Sequence, residues 1–436
     1  MRSELLTLLP QTRAPSRLLG GISSSFRTNP FTGGHLEVES VHGPYIETSD
    51  GRTFIDFFLA HGSALLGHAE PRVFDAIRGI LPAGVVVGYE TGLGDRVADR
   101  LGELIPSAEL CRFVASGSEA VLTAVRLARA YTGREVIIKI DGQFNGGNDY
   151  VLFNSMAWLS DASNAGGRVS AHRPFSKGIP RSLELSLLLV PWNDLPALEA
   201  AFAEAADQIA AVIMVPIDYN NGCLLPEPGY LEAVRAMTTA HGSLLILDEV
   251  LSGFKTGTAC GQGLFGVTPD ITTLSKALSN GVPLSAIVGR AEVMSLFAKP
   301  VPTGALQGGT FAGNVIGLAA ADAVLDIITA PDFYPALQAR VDRFLGGLQA
   351  MFDASPVPAR VEWLGCGFGL YVGTRDPVRS TADTRRLDPE AARTYFTRCI
   401  ERGVYFHTDF TISAAHGSEV LDEALDRMAD AASTPV

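Results

Sequence analysis

The 436-residue chain is 47% hydrophobic and 19% charged, which excludes a disordered polymer and calls for more than one simple core. A formal charge of −13 argues against a nucleic-acid partner, which would need a basic face. Five scattered cysteines without a Cys-x-x-Cys pair, and eight histidines without a His-Glu-x-x-His pattern, predict reduced thiols and no metal centre.

The opening MRSELLTLLPQTRAPSR has no apolar stretch long enough for a secretion signal, and no later run could span a membrane. A soluble cytoplasmic protein is expected. Residues 35–57 alternate in polarity and turn at Ser49-Asp50-Gly51, which predicts a β-meander. From about residue 71 the pattern becomes α/β. PRVFDAIRGIL and DRVADRLGELI read as amphipathic helices, and CRFVASGSEAVLTAVRLARAYTG as strand, turn and long helix. Short apolar runs (EVIIKI, LSLLLV, AAVIMVPI, SLLILDEV, PDITTLS) then alternate with helical stretches, the pattern of a mostly parallel sheet flanked by helices. Residues 153–185 have the poorest periodicity and are expected to cover a site. NVIGLAAADAVLDIITA reads as a helix leading into an α+β tail, in which GCGFGL is a tight strand and not a dinucleotide cradle. The expected layout is a large α/β domain over 71–305, with a smaller α+β domain built from 1–70 and 306–436.

Three stretches carry chemistry. Ser116-Gly117-Ser118 opens a long helix after a strand, which suits either an anion site or an ordinary serine cap. In LLILDEV, Asp248 ends a run that looks buried, and a buried carboxylate needs a partner. Only five of the 34 basic residues are lysines, and Lys276 has no other charged residue from Ile271 to Val288. Such a lysine either snorkels or is partly buried, and burial makes its amine nucleophilic toward a carbonyl. An anion cradle, an acid at a strand end and an apolar lysine together suit pyridoxal 5'-phosphate (PLP). That cofactor needs a phosphate cup, a carboxylate facing its ring nitrogen and a lysine for its Schiff base.

The ordered set GGISSSFR (20–27), GRTFIDFFLAHGSALLGHAEPRV (51–73), ASGSEA (115–120), LILDEVLSGF (245–254), LSKALSNGVPLSAIVGR (274–290), QGGTFAGN (307–314) and ERGVYF (401–406) resembles the class III PLP-dependent aminotransferases of fold type I. Within them it looks most like the glutamate-1-semialdehyde 2,1-aminomutase branch. The resemblance implies that Lys276 carries the cofactor and shuttles the proton, and that Asp248 pairs with the pyridine nitrogen above Val250. Ser116, Gly117 and Ser118 would hold the phosphate, Asn220 would lie near the phenolic oxygen, and Phe144 would stack on the ring. Thr310 would reach the neighbouring subunit's phosphate, which implies a homodimer. Arg27, His61 and Asn145 would face the substrate.

The chain also departs from the family pattern. It has Phe144-Asn145 where relatives have Tyr-His, Val215 where they have Glu, His61 where the aminomutase has Trp, and Lys255 where they have Arg. The expected activity is a ping-pong transfer from a small-molecule amino donor to a carbonyl acceptor. A 2,1-aminomutase is the nearest rival, followed by a racemase, epimerase or decarboxylase on the same cofactor and by an inactive scaffold.

Overall fold

The computed structural model describes residues 17–85, 88–156 and 172–436. The predicted meander is present as β1 (Val38–His42), β2 (Tyr45–Thr48) and β3 (Thr53–Asp56), all antiparallel. Next in the chain come β4 (Leu110–Val114), β5 (Val136–Ile140), β6 (Leu187–Val190), β7 (Ile209–Met214), β8 (Leu244–Glu249), β9 (Ile271–Leu274) and β10 (Ser285–Gly289). They form one seven-stranded sheet in the order β4-β10-β9-β8-β7-β5-β6. Strands β6, β5, β7, β8 and β9 are mutually parallel, and β10 runs antiparallel to both β9 and β4.

Burial explains this arrangement. Every residue of β5, β7, β8 and β9 is buried, as expected of strands covered on both faces by helices. Helices Leu195–Ala205 and Tyr230–Ala240 pack together, with Tyr230–Ala240 against β8, and helix Gly117–Thr132 packs on β7, β8, β9 and β10. Burying each of Leu244, Leu245, Ile246 and Leu247 is worth roughly 1.5–3 kcal/mol, which holds β8 in register.

The topology has one consequence for function. β4, β5, β7, β8 and β9 all point the same way, so the residues that follow each of them emerge at one edge of the sheet. Ligands of open α/β sheets bind at such an edge.

The remaining strands are β11 (Ala359–Leu364), β12 (Gly367–Val372), β13 (Val404–Tyr405) and β14 (Phe410–Thr411). β11, β12 and β14 form a three-stranded sheet, so GCGFGL does contribute an antiparallel strand. β13 adds to the meander parallel to β3, which ties the two ends of the chain together. Of the segment expected to cover a site, residues 157–171 lie outside the described residues. Its flanks are pinned to one another: the Arg173 amide donates to Asn154 Oδ1 at 2.7 Å, and the Phe175 amide to the Leu152 carbonyl at 3.0 Å. Among the described residues no helix is long and apolar enough to cross a membrane.

Candidate active site

At the sheet edge a cavity of about 190 Å3 opens between the chain segments that leave β4, β5, β7, β8 and β9. Lys276 follows β9 and enters the cavity from a left-handed backbone position, φ +48°. A non-glycine residue adopts that conformation only where its surroundings impose it, which is common at active sites. Burial pushes the Lys276 amine below its ordinary value, while Asp409 and then Asp248 pull the other way. The lowered value favours the nucleophilic free amine.

Asp248 is the penultimate residue of β8 and is 2% exposed. Its Oδ1 accepts from Thr273 Oγ1 at 2.9 Å and from the Val250 amide at 3.1 Å, and its Oδ2 accepts from Asn145 Nδ2 at 2.9 Å. Burial raises its pKa; the donors Asn145, Val250 and Thr273, and the charge on Lys276, work against that. The next residue, Glu249, faces away from the cavity. Its carboxylate accepts from the Gly261 and Gln262 amides at 2.7 and 3.0 Å and from Ser252 Oγ at 3.1 Å. The paired acids of LLILDEV thus divide between the site and the scaffold.

Ser116 is the cap of helix Gly117–Thr132, with its hydroxyl accepting from the Glu119 amide at 3.2 Å. The ordinary-cap reading therefore holds for Ser116, yet the residue also lines the cavity together with Gly117 and Ser118. The amides of the first helical turn have no acceptors within the helix and carry the positive end of its dipole. A Cβ on Gly117 would come within 2.8 Å of Val250 Cγ1, so only glycine permits this approach of helix and strand. Ser118 Oγ accepts from the Gly147 amide at 2.9 Å and anchors the segment that carries Phe144.

Phe144, Asn220 and Val250 complete the predicted wall, and Val215 stands beside them. Four predicted residues are placed elsewhere. Asn145, expected on the substrate side, is fully buried and gives its amide to Asp248, because the turn after β5 directs it behind the cavity wall. Thr310 is exposed, on the segment before helix Val315–Ile328. Arg27 is exposed and lines an adjacent cavity of about 520 Å3. His61 lies beside that cavity, its ring 4.4 Å from Phe58 and 6.3 Å from Phe26.

Sequence reasoning missed Asp409. This carboxylate is 1% exposed and accepts from His61 Nδ1 and from Asn220 Nδ2, both at 2.8 Å. Burial opposes its charge, but His61 and the nearby Lys276 and Lys255 hold it well below the usual carboxylate range. The signal was available: Asp409 interrupts the apolar run VYFHTDFTI in the way Asp248 ends LLIL.

PLP fits these residues. Asp248 keeps acceptor capacity on Oδ2, Asn145 Oδ1 is buried without a partner, and Ser116, Gly117 and Ser118 at the helix N-terminus line the cavity. Among the described residues no group of three or more side chains is placed to hold a metal ion.

A family model described as aminotransferase class-III matches residues 30–431. The chain is 36% identical over 412 residues to the glutamate-1-semialdehyde 2,1-aminomutase of Nitrosospira multiformis, covering 93% of this chain and 94% of that protein. An omega-transaminase from Sphaerobacter thermophilus superposes with a TM-score of 0.88 at 28% identity, covering 95% of this chain and 94% of its own. A transaminase solved with PLP bound superposes with a TM-score of 0.83 at 26% identity, with the same coverage of both chains.

Proposed function

The chain belongs to the class-III aminotransferases, PLP-dependent enzymes of fold type I that move an amino group from a donor to a carbonyl acceptor, and on that premise we propose how its own residues perform the transfer. One observation carries the assignment: Lys276 and Asp248, brought from the ends of neighbouring strands, line one cavity at the N-terminus of a long helix.

When bound there, PLP supplies an aldehyde to receive amines and a ring that withdraws electrons from the donor's Cα. Lys276 would hold PLP, and its amine, once free, would take the proton from the donor's Cα and hold it for return to the cofactor side. Positioned proton transfer of this kind is worth roughly 10² to 10⁴ in rate. Asp248 would keep the pyridine nitrogen protonated, and Thr273, Val250 and Asn145 hold Asp248 in place for that role. The helix-start amides of Gly117 and Ser118 take the phosphate. Phe144 and Val250 would enclose the ring, and Asn220, held by Asp409, would stand toward the phenolic oxygen. Arg27 anchors a substrate carboxylate. Donor and acceptor use the site in turn, so the kinetics are ping-pong.

The finer organisation also belongs to this reading. Residues 71–305 carry the cofactor, and the two chain ends form the substrate side. Thr310 completes the neighbouring site of a homodimer; its exposure, with that of Leu306 and Phe311, leaves it available to a second copy. The five free cysteines agree with a cytoplasmic location.

A 2,1-aminomutase is the second reading, favoured by the identity to the Nitrosospira protein. It would return the amino group to the same molecule. One experiment separates the two: enzyme loaded with pyridoxamine phosphate is mixed with a panel of 2-oxo acids. A new amino acid in stoichiometric yield supports transfer between molecules. No amino acid from any of them, with turnover of a single aminated aldehyde, supports the mutase.

A further inference from the structure

A further cavity, of about 450 Å3, opens between the turn that follows β7 and the C-terminal elements β12, β14 and helix Pro389–Glu401. Small-molecule sites occupy roughly 300–1,000 Å3 and favour such seams. This cavity is separate from the cofactor cavity. Lys276, Asp248, Phe144 and the Ser116–Ser118 turn do not line it, and the residue common to both is Asn220.

Its walls are mostly apolar. Phe31, Leu370, Leu387, Phe396 and Phe410 line it, with Phe31 stacked on Phe396 at 4.3 Å. Three charged residues are set among them: Arg385, Asp388 and Arg393. Asp388 is committed as the cap of helix Pro389–Glu401, its carboxylate accepting from the Glu390 amide at 2.9 Å. Arg393 is exposed and reaches Glu390 at 3.6 Å. His407 also lines the cavity, but burial above all holds it down to about 4, so it is neutral near pH 7.

Arg385 differs from these. Its side chain is 19% exposed, and its guanidinium has five donors. One reaches Asp141 Oδ2 at 3.5 Å, long for a hydrogen bond, and Nε is buried without a partner. Asp141 is also shared, since its charge supports the buried Lys139 ammonium. The Arg385 guanidinium therefore keeps capacity for an anion, and its planar fork of N–H groups matches a carboxylate.

One turn joins this cavity to the reaction centre. Asn220, Asn221 and Gly222 form part of its wall. Tyr371 Oη donates to the Asn221 carbonyl at 3.0 Å and accepts from the Cys223 amide at 2.8 Å, and a Cβ on Gly222 would collide with that hydroxyl. The turn is clamped onto β12, so whatever fills the cavity bears on Asn220.

We infer that this cavity is a second ligand site, which takes an amphipathic monocarboxylate with its acid group on Arg385 and its apolar tail among Phe31, Leu387 and Phe396. Through the Asn220 turn its occupancy is felt at the cofactor. The site goes beyond amino transfer, and its binding is read with neither donor nor acceptor present.

The test titrates octanoate and octanamide into the PLP-loaded enzyme, by calorimetry and by the absorption band of the cofactor. Wild type binds octanoate more tightly by roughly 10- to 100-fold, the worth of a charge-assisted hydrogen bond, and the band shifts on binding. Arg385→Gln removes the preference and keeps octanamide binding, because the apolar walls remain. Ala392→Phe fills the cavity from helix Pro389–Glu401 without altering charge; it abolishes binding of both probes, and the shift with it. Equal wild-type affinities overturn the inference. So does octanoate binding that survives Ala392→Phe, or that is lost in Arg27→Ala and normal in Arg385→Gln, since either places the probe in the cofactor cleft. Binding without a band shift overturns the link to Asn220.

Discussion

The two walls of the cleft are built on different principles. The sheet wall, with Asp248, Lys276 and the Ser116–Ser118 turn, stands on the ends of buried strands, and its key carboxylate is held by donors from the residue after β8, from β9 and from the turn after β5. The opposite wall, with Arg27, His61, His407 and Asp409, comes from the two chain ends and is held by ring contacts, a left-handed turn and one histidine–carboxylate hydrogen bond. The first wall cannot change without leaving a buried charge unsatisfied. The second can exchange side chains while the sheet stays intact. By the resemblance, His61 replaces the aminomutase's tryptophan on that second wall, and Phe144 and Val215 are departures at the rim of the first. This division lets one cofactor chemistry serve different substrates.

Four measurements would break or sharpen the contrast, beginning with the greatest effect. Lys276→Ala should abolish turnover, and borohydride treatment of the wild type should fix the cofactor at Lys276 alone; an active variant without added amine would remove the sheet wall from the chemistry. Asp248→Asn should still bind cofactor but slow the donor half-reaction by roughly 10² or more, as expected when a positioned acid–base contribution is lost. Half-reaction rates equal to wild type would show that Asp248 does not tune the ring. On the opposite wall, Arg27→Ala should raise KM about tenfold with a smaller effect on kcat, the loss of one charge-assisted contact. An unaltered KM would mean that Arg27 anchors nothing.

The last is a stability measurement. Burial holds His407 and His416 at about 4 and about 3, against an ordinary value of 6.5. On acidification the unfolded chain takes up these protons first, so stability is complete above about pH 6.5 and falls as pH drops through 4. The melting temperature should decline over that range, and replacing both histidines by glutamine should flatten the decline. A slope untouched by both replacements would place acid sensitivity elsewhere.

Much of the sheet wall was legible before folding because its residues sit in short contiguous motifs. An acid ending an apolar run, a lysine without charged neighbours and a Ser-Gly-Ser turn before a helix each report their burial locally, through the company they keep in sequence. Parallel topology then sends them to one edge, which the alternation of apolar runs and helices already implied.

The opposite wall was not legible in this way. Asn145 was expected there and serves Asp248 instead, because the direction of a side chain after β5 depends on how the turn packs. Asp409 and His61 are 348 residues apart in the chain, so no spacing rule could pair them. Local sequence determined which residues must be buried and in which kind of element, since hydrophobic periodicity and capping act over a few residues. Only the tertiary structure decided which buried charges meet, because a desolvated carboxylate takes whatever donor the folded chain brings within about 3 Å.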